Sequence, residues 1–220
     1  MAGFNFFDKA KFKEYAKESL KNKPTIGNDH SEDIFTMALA LTAAIKKVFF
    51  EKSENKFSSE PLINKKPIIQ FVNRMRIDAM EKFNSTTMLS AIHFYKDSKS
   101  MENNVSVAVI IVYMERTFVP EMLRLFKYPY IDYDNDDEVL DGIGAISNLI
   151  AGCFKRELSH LGYMDLEMSH FRSAINTVLD GVEYCKSQSH KYEINFDVDE
   201  KKRMVVELVV EPLPKVTVDK

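Results

Sequence analysis

Apolar residues between Asp137 and Gly162 recur at helical steps. Val139, Leu140, Ile143, Ile146, Ile150, Phe154, Leu158 and Leu161 are spaced one, three or four apart, the period of a helix lying on a core. The predicted helix, 137–161, opens after the acidic run Asp132–Glu138 and is followed by Gly162. Acids favour the positive end of a helix, and glycine permits a left-handed exit. A second stripe, Ile34, Met37, Ala38, Leu41, Ala44, Ile45 and Val48, predicts a helix over 31–50, opened by Ser31, Glu32 and Asp33. Its alanines permit close packing on the first. The polar stretch 51–66, with Pro61, reads as a loop. Pro67 can open a third helix to about Phe83, packed through Ile69, Val72, Met75, Ile77 and Met80. Near the start, Phe4, Phe6, Phe7, Phe12 and Tyr15 alternate with lysines over 4–21. They predict a short amphipathic helix that docks either on the body or on a partner subunit, before a break at Pro24 and Gly27.

Elsewhere the pattern changes period. Thr86–Tyr95 and Val105–Tyr113 are rich in β-branched and aromatic residues and predict a hairpin across the polar connection Lys96–Asn104. Glu115–Phe126 reads as a short helix with Pro120 in its first turn. Tyr128, Tyr130 and Tyr133 then either cover a core edge, the simpler reading, or line a partner surface. Ser173–Gly181 reads as loop or short strand. Tyr192–Val198 and Met204–Glu211 predict a second hairpin around Asp199–Lys202. The fold class is α+β: an antiparallel sheet with the helices at 31–50 and 137–161 on one face, plus extra N-terminal helical elements. The other face is left to dimerisation or to the N-terminal arm.

Size and composition narrow the field. A chain of 220 residues can bury one substantial core. A net charge of −3 without a basic tract argues against nucleic acid. Cys153 and Cys185 are not closely spaced, so zinc is not expected, and Cys153 reads as a buried thiol in the helix. The start, MAGFNFFDKAKFKEY, carries too many charges for a signal peptide, and no apolar run reaches a membrane span. The cytoplasm is the expected location.

Catalytic motifs are few. Gly142-x-Gly144 lies within a helix and is no phosphate loop, and neither a serine elbow nor a zinc HExxH occurs. His30, His93, His160, His170 and His190 are scattered; His170 lies near Asp165 and Glu167, but proximity supplies no nucleophile. More informative is one helix face, where Asp141, Ala145, Asn148 and Gly152 stack. Asparagine is a poor helix former, so Asn148 in mid-helix needs a reason. Its amide can orient a water for in-line attack on a phosphoryl group brought, with its metal, by a partner.

This segment resembles the CheC/CheX/FliY family of bacterial chemotaxis phosphatases, most nearly the single-motif CheX branch. The family signature is an acid or serine, three residues, Glu, two residues, Asn, then twenty-one residues and Pro; here those positions are Asp141, Ala145, Asn148 and His170. AISNLIAG, Leu158 and Gly162 also match, and the likeness runs from about Thr86 to Pro212. The helix at 31–50 is similar to the family's first helix. The resemblance implies a CheX-like domain over 29–215, including the extra helix at 67–83, behind an N-terminal extension, 1–28. It implies that the chain binds phosphorylated CheY-type receiver domains and hydrolyses their aspartyl phosphate. Asn148 and Asp141 would be catalytic, and Asp141, Asn148, Gly152 and Lys155 would touch the partner. No cofactor of its own is implied; Mg²⁺ would belong to the receiver. A homodimer through the sheet is expected. The two departures weigh on activity. In the family the glutamate contacts the receiver's lysine while the asparagine positions water, and Ala145 cannot make that contact. The alternative is therefore a catalytically impaired binding or structural protein on the same fold.

Overall fold

The computed structural model describes residues 30–53, 57–68, 70–71, 74–75, 82–129, 131–176 and 188–216. The helix expected at 4–21, Tyr130 and Cys185 lie outside these residues.

Two long helices and one sheet dominate. Helix α1 is His30–Ser53, with Glu32 and Asp33 in its first turn. Strand β1 is Leu62–Pro67, followed by the two-residue strands β2, Gln70–Phe71, and β3, Arg74–Met75. Strand β4, Thr87–Tyr95, and strand β5, Ala108–Glu115, flank the short helix α2, Ser98–Glu102. Helix α3 is Phe118–Leu125, with Pro120 in its first turn as expected, and helix α4 is Asp136–His160. Strands β6, Glu167–Met168, β7, Arg172–Ile175, β8, His190–Val198, and β9, Lys201–Val210, complete the order.

The seven-stranded sheet runs β1-β8-β9-β5-β4-β6, with β7 also on the β4 edge, and every pairing is antiparallel. Both predicted hairpins form. In β8–β9 the turn is tighter than Asp199–Lys202. Asp199 and Glu200 both have positive φ, 50° and 59°, and Lys201 already pairs with Val198. A two-residue turn with two left-handed residues matches the twist of the strands.

Alternation along the strands divides the sheet into two faces. Met88, Ile92 and Phe94 of β4, Ile110 and Val112 of β5, and Val206 and Leu208 of β9 are buried in one cluster with Met37, Leu41 and Ile45 of α1 and Ile143, Ile146 and Ile150 of α4. Each such side chain contributes roughly 1.5–3 kcal/mol. The helices therefore cover one face, as the stripes predict. The opposite face is also buried: Leu89, Ala91, Val109, Ile111, Tyr113, Val205 and Val209 cluster with Phe83, and Ile68 and Ala174 pack alongside.

That second face holds a buried ionic network. The Lys82 ammonium donates to Glu193 and, at 2.7 Å, to Glu207. Lys191 donates to Glu207 at 2.8 Å, Tyr113 Oη to Glu207 at 3.1 Å and Lys66 to Glu193 at 2.7 Å. Burial works to raise the Glu193 carboxyl, but Lys66 and Lys82 outweigh it and hold it at about 2. Burial likewise works against the Glu207 anion, and Lys82 and Lys191 pull its pKa below the ordinary value.

Two expectations are corrected. The stretch 51–66 is not all loop, because Leu62–Pro67 pairs with β8 from Leu62↔Asn195 to Pro67↔His190. An edge strand tolerates proline and lysine, which on a lone chain read as breakers. Nor does Pro67 open a helix: it ends β1, and Gln70–Phe71 pairs with Arg74–Met75 as a small antiparallel ribbon. Residues 69, 72, 73 and 76–81 of that expected helix lie outside the described ones. Of the tyrosines expected to cover a core edge, Tyr128 and Tyr133 are exposed.

Candidate functional site

Helix α4 is fixed at both ends. Its N-cap, Asn135, accepts from the Asp137 N–H at 3.0 Å. Glu138 accepts from the Asp132 N–H at 2.6 Å and from the Asn135 amide at 3.3 Å. Arg116 donates to Asp136 and to the Tyr133 carbonyl, both at 2.8 Å, tying the helix start to the end of β5. At the other end Gly162 has φ +84°, Tyr163 N–H donates to the Leu158 carbonyl and Gly162 N–H to that of Ser159. This paired closure is the exit that the glycine predicts.

Between these ends the helix sorts its residues by side. Val139, Ile143, Ile146, Ile150, Phe154 and Leu158 have no exposed surface. Asp141 and Asn148 are exposed, and Ala145, Gly152 and Lys155 are half-buried. Among the described residues, neither the Asp141 nor the Asn148 side chain has a hydrogen bond or ion pair within the chain. A side chain added at Gly152 would meet nothing within 4 Å. The stripe is thus open ground with one carboxylate and one carboxamide.

Glycines mark both flanks. A Cβ on Gly142 would strike Leu123 of α3, and one on Gly144 would strike the Phe171 ring. At about 100° per residue these two contacts fall on opposite sides of the stripe. Helix α3 therefore borders one side and the β6–β7 crossing borders the other. His170, in that crossing, is exposed, and its neighbour Phe171 touches the helix one turn before Asn148. The sequence offered no signal for the Phe171 contact, because the two residues meet only once the crossing folds back.

Lys155 pairs with Asp165 at 3.2 Å, and Glu167 accepts from Ser98 at 2.8 Å. Among the described residues, no hydrogen bond or ion pair links His170 to either acid. His93 is buried on β4, stacked on Tyr95, and His160 lies 3.6 Å from Glu157. Cys153 is buried, and that burial pushes its thiol up. No three His, Cys, Asp or Glu residues among those described come together as metal ligands. No helix among them is long and apolar enough to cross a membrane.

No protein-family model and no curated protein matches this chain. Solved structures do match. FliY from Thermotoga maritima is 9% identical with a TM-score of 0.53, over 86% of this chain and 92% of that one. A CheC-like superfamily protein from Shewanella sp. PV-4 is 16% identical with a TM-score of 0.52, over 84% and 99%. The chemotaxis protein CheX from Desulfovibrio desulfuricans is 14% identical with a TM-score of 0.50, over 80% and 99%. At these identities the likeness shows the fold, which is CheC/CheX-like.

Proposed function

We propose that this chain is a CheX-like signalling protein. It binds the phosphorylated receiver domain of a CheY-type response regulator through the Asp141–Ala145–Asn148–Gly152 stripe and hydrolyses its aspartyl phosphate. The observation that carries this reading is Asn148: an exposed carboxamide in mid-helix, beside open ground at Gly152, on a CheC/CheX-like fold.

The chemistry needs little from the chain itself. Asn148 accepts a hydrogen bond from a water and aims it at phosphorus, opposite the aspartyl oxygen. The water oxygen bonds to phosphorus, the bond to the aspartyl oxygen breaks, and the carboxylate departs with the electron pair. The water's proton leaves with solvent or inorganic phosphate. Positioning supplies most of the acceleration in such transfers. Mg²⁺ belongs to the receiver. Asp141, two turns before Asn148, provides a second polar contact, and Gly152 lets the partner approach closely. Lys155 exchanges Asp165 for an acid on the receiver.

Ala145 favours a second reading, a receiver-binding protein without catalysis, since a charged contact at a desolvated interface is worth about 2–5 kcal/mol. Restoring the contact separates the two. Ala145→Glu should raise the decay rate of a phosphorylated receiver roughly tenfold or more. An unchanged rate with retained binding supports the non-catalytic reading.

The domain is proposed to run over 29–215, behind the extension 1–28, in the cytoplasm with its partner. The Asp33–Lys215 ion pair at 3.0 Å, which joins the two ends of that span, supports those limits. We also assign the homodimer to β1, because β6 and β7 already occupy the β4 edge.

A further inference from the structure

The crossing between β6 and β7 is held from two sides. On the sheet side, Ser169 N–H donates to the His93 carbonyl at 2.9 Å, and His93 N–H donates to Ser169 Oγ at 3.0 Å. Ser169 Oγ in turn donates to the His170 carbonyl at 2.8 Å. Pairing then resumes at once, Arg172 with Ala91. On the helix side, the Phe171 ring lies against the bare backbone of Gly144, where a Cβ would strike three of its ring carbons. His170, between these anchors, is exposed. On a helical projection Gly144, Asn148 and Lys155 all lean to the same side of Asp141, by roughly 60°, 20° and 40°. Gly142 leans the other way, toward Leu123. The crossing therefore runs along the Asn148 side of the stripe.

We propose that Phe171 is a positioning residue: seated on Gly144, it holds His170 beside Asn148 as a further contact for the incoming receiver domain. This rests on the stripe being the receiver-binding face. Imidazole both donates and accepts hydrogen bonds, so His170 supplies a polar contact on a face where Ala145 supplies none. Only glycine at 144 leaves room for the ring, and the short β6–β7 connection leaves His170 little freedom once the ring is seated.

Two readouts on the full chain test this. In the free protein, Phe171→Ala should move the NMR signals of the His170 ring and the Asn148 side-chain amide, while Phe171→Tyr should preserve them. In titrations with a CheY-type receiver loaded with beryllofluoride and Mg²⁺, His170→Ala and Phe171→Ala should each weaken binding about fivefold. The double variant should bind no more weakly than either single one, because Phe171 acts through His170. Unmoved signals in Phe171→Ala overturn the positioning role, and unchanged affinity in His170→Ala or additive losses overturn the contact. If Phe171→Ala does not fold, Gly144→Ala, which displaces the ring from the other side, must give the same signal changes. A wild-type chain that binds no receiver contradicts the proposed function instead, and the NMR signals still decide whether Phe171 positions His170.

Discussion

Asn148 and Ala145 lie one turn apart on the same stripe, and they differ in what each can give a phosphoryl site. A carboxamide orients water; a methyl group does neither that nor ion pairing. Glu138 is no replacement for the absent glutamate. Its carboxylate is engaged by the Asp132 N–H and the Asn135 amide, where it closes the turn before α4. Glu138→Ala should therefore cost about 1 kcal/mol in denaturant unfolding, the scale of a lost cap, and leave receiver affinity unchanged. A large loss of affinity without a loss of stability would assign Glu138 to the partner face. At this scale Asn148 stands out in the sequence because asparagine is a poor helix former in mid-helix, and Asp141 through the motif it shares with Asn148. Phe171 does not, since nothing local ties it to Gly144.

Among the elements, α4 is legible from end to end. Its apolar period, acidic entry and glycine exit each have a local cause, and each recurs as a buried side, a capped start and a left-handed stop. β1 is not legible, because LINKKP contains the residues that mark loops, and only its pairing with β8 makes it a strand. The expected helix start at Pro67 was misread for a related reason. Apolar spacing alone does not tell a helix from short extended pieces beside proline. The Lys82–Glu207 network is equally non-local, being assembled from β5, β8, β9 and the residues before β4.

That network sets a pH dependence. Glu193 falls from an ordinary 4.5 to about 2 in the folded chain, a difference on the order of 3 kcal/mol. Because the folded pKa is depressed, the stabilisation is present above about 4.5 and is lost as pH falls toward 2. Thermal unfolding should show Tm dropping across that window, and Glu193→Gln should flatten the drop; an equally steep drop in Glu193→Gln would place the acid sensitivity elsewhere. Glu207→Ala should cost about 3–5 kcal/mol, because it strands the Lys191 ammonium in the interior and leaves Lys82 with Glu193 alone.

For the whole molecule, one sheet with two buried faces leaves its edges as the places for self-association. β4 is occupied by β6 and β7, whereas among the described residues β1 ends the sheet, with Leu62 62% exposed. Lys65, Lys66 and Pro67 blunt the far end of β1, so a dimer would pair through its first half. Leu62→Lys should then give a monomer in sedimentation equilibrium where the wild type is a dimer; a wild-type monomer, or a dimer that survives the change, removes β1 as the interface. The long helices lie across one sheet face and turn the α4 stripe outward, which is what a docking helix needs.

The central claim is that Asn148 aims a water at a partner's phosphoryl group. The direct measurement is the decay of an acyl-phosphorylated CheY-type receiver from the same cell, with and without this protein and with Asn148→Ala in its place. Faster decay with the wild-type chain that vanishes with Asn148→Ala is the predicted result. Decay no faster than the receiver's own, in a sample shown to bind that receiver, would contradict it.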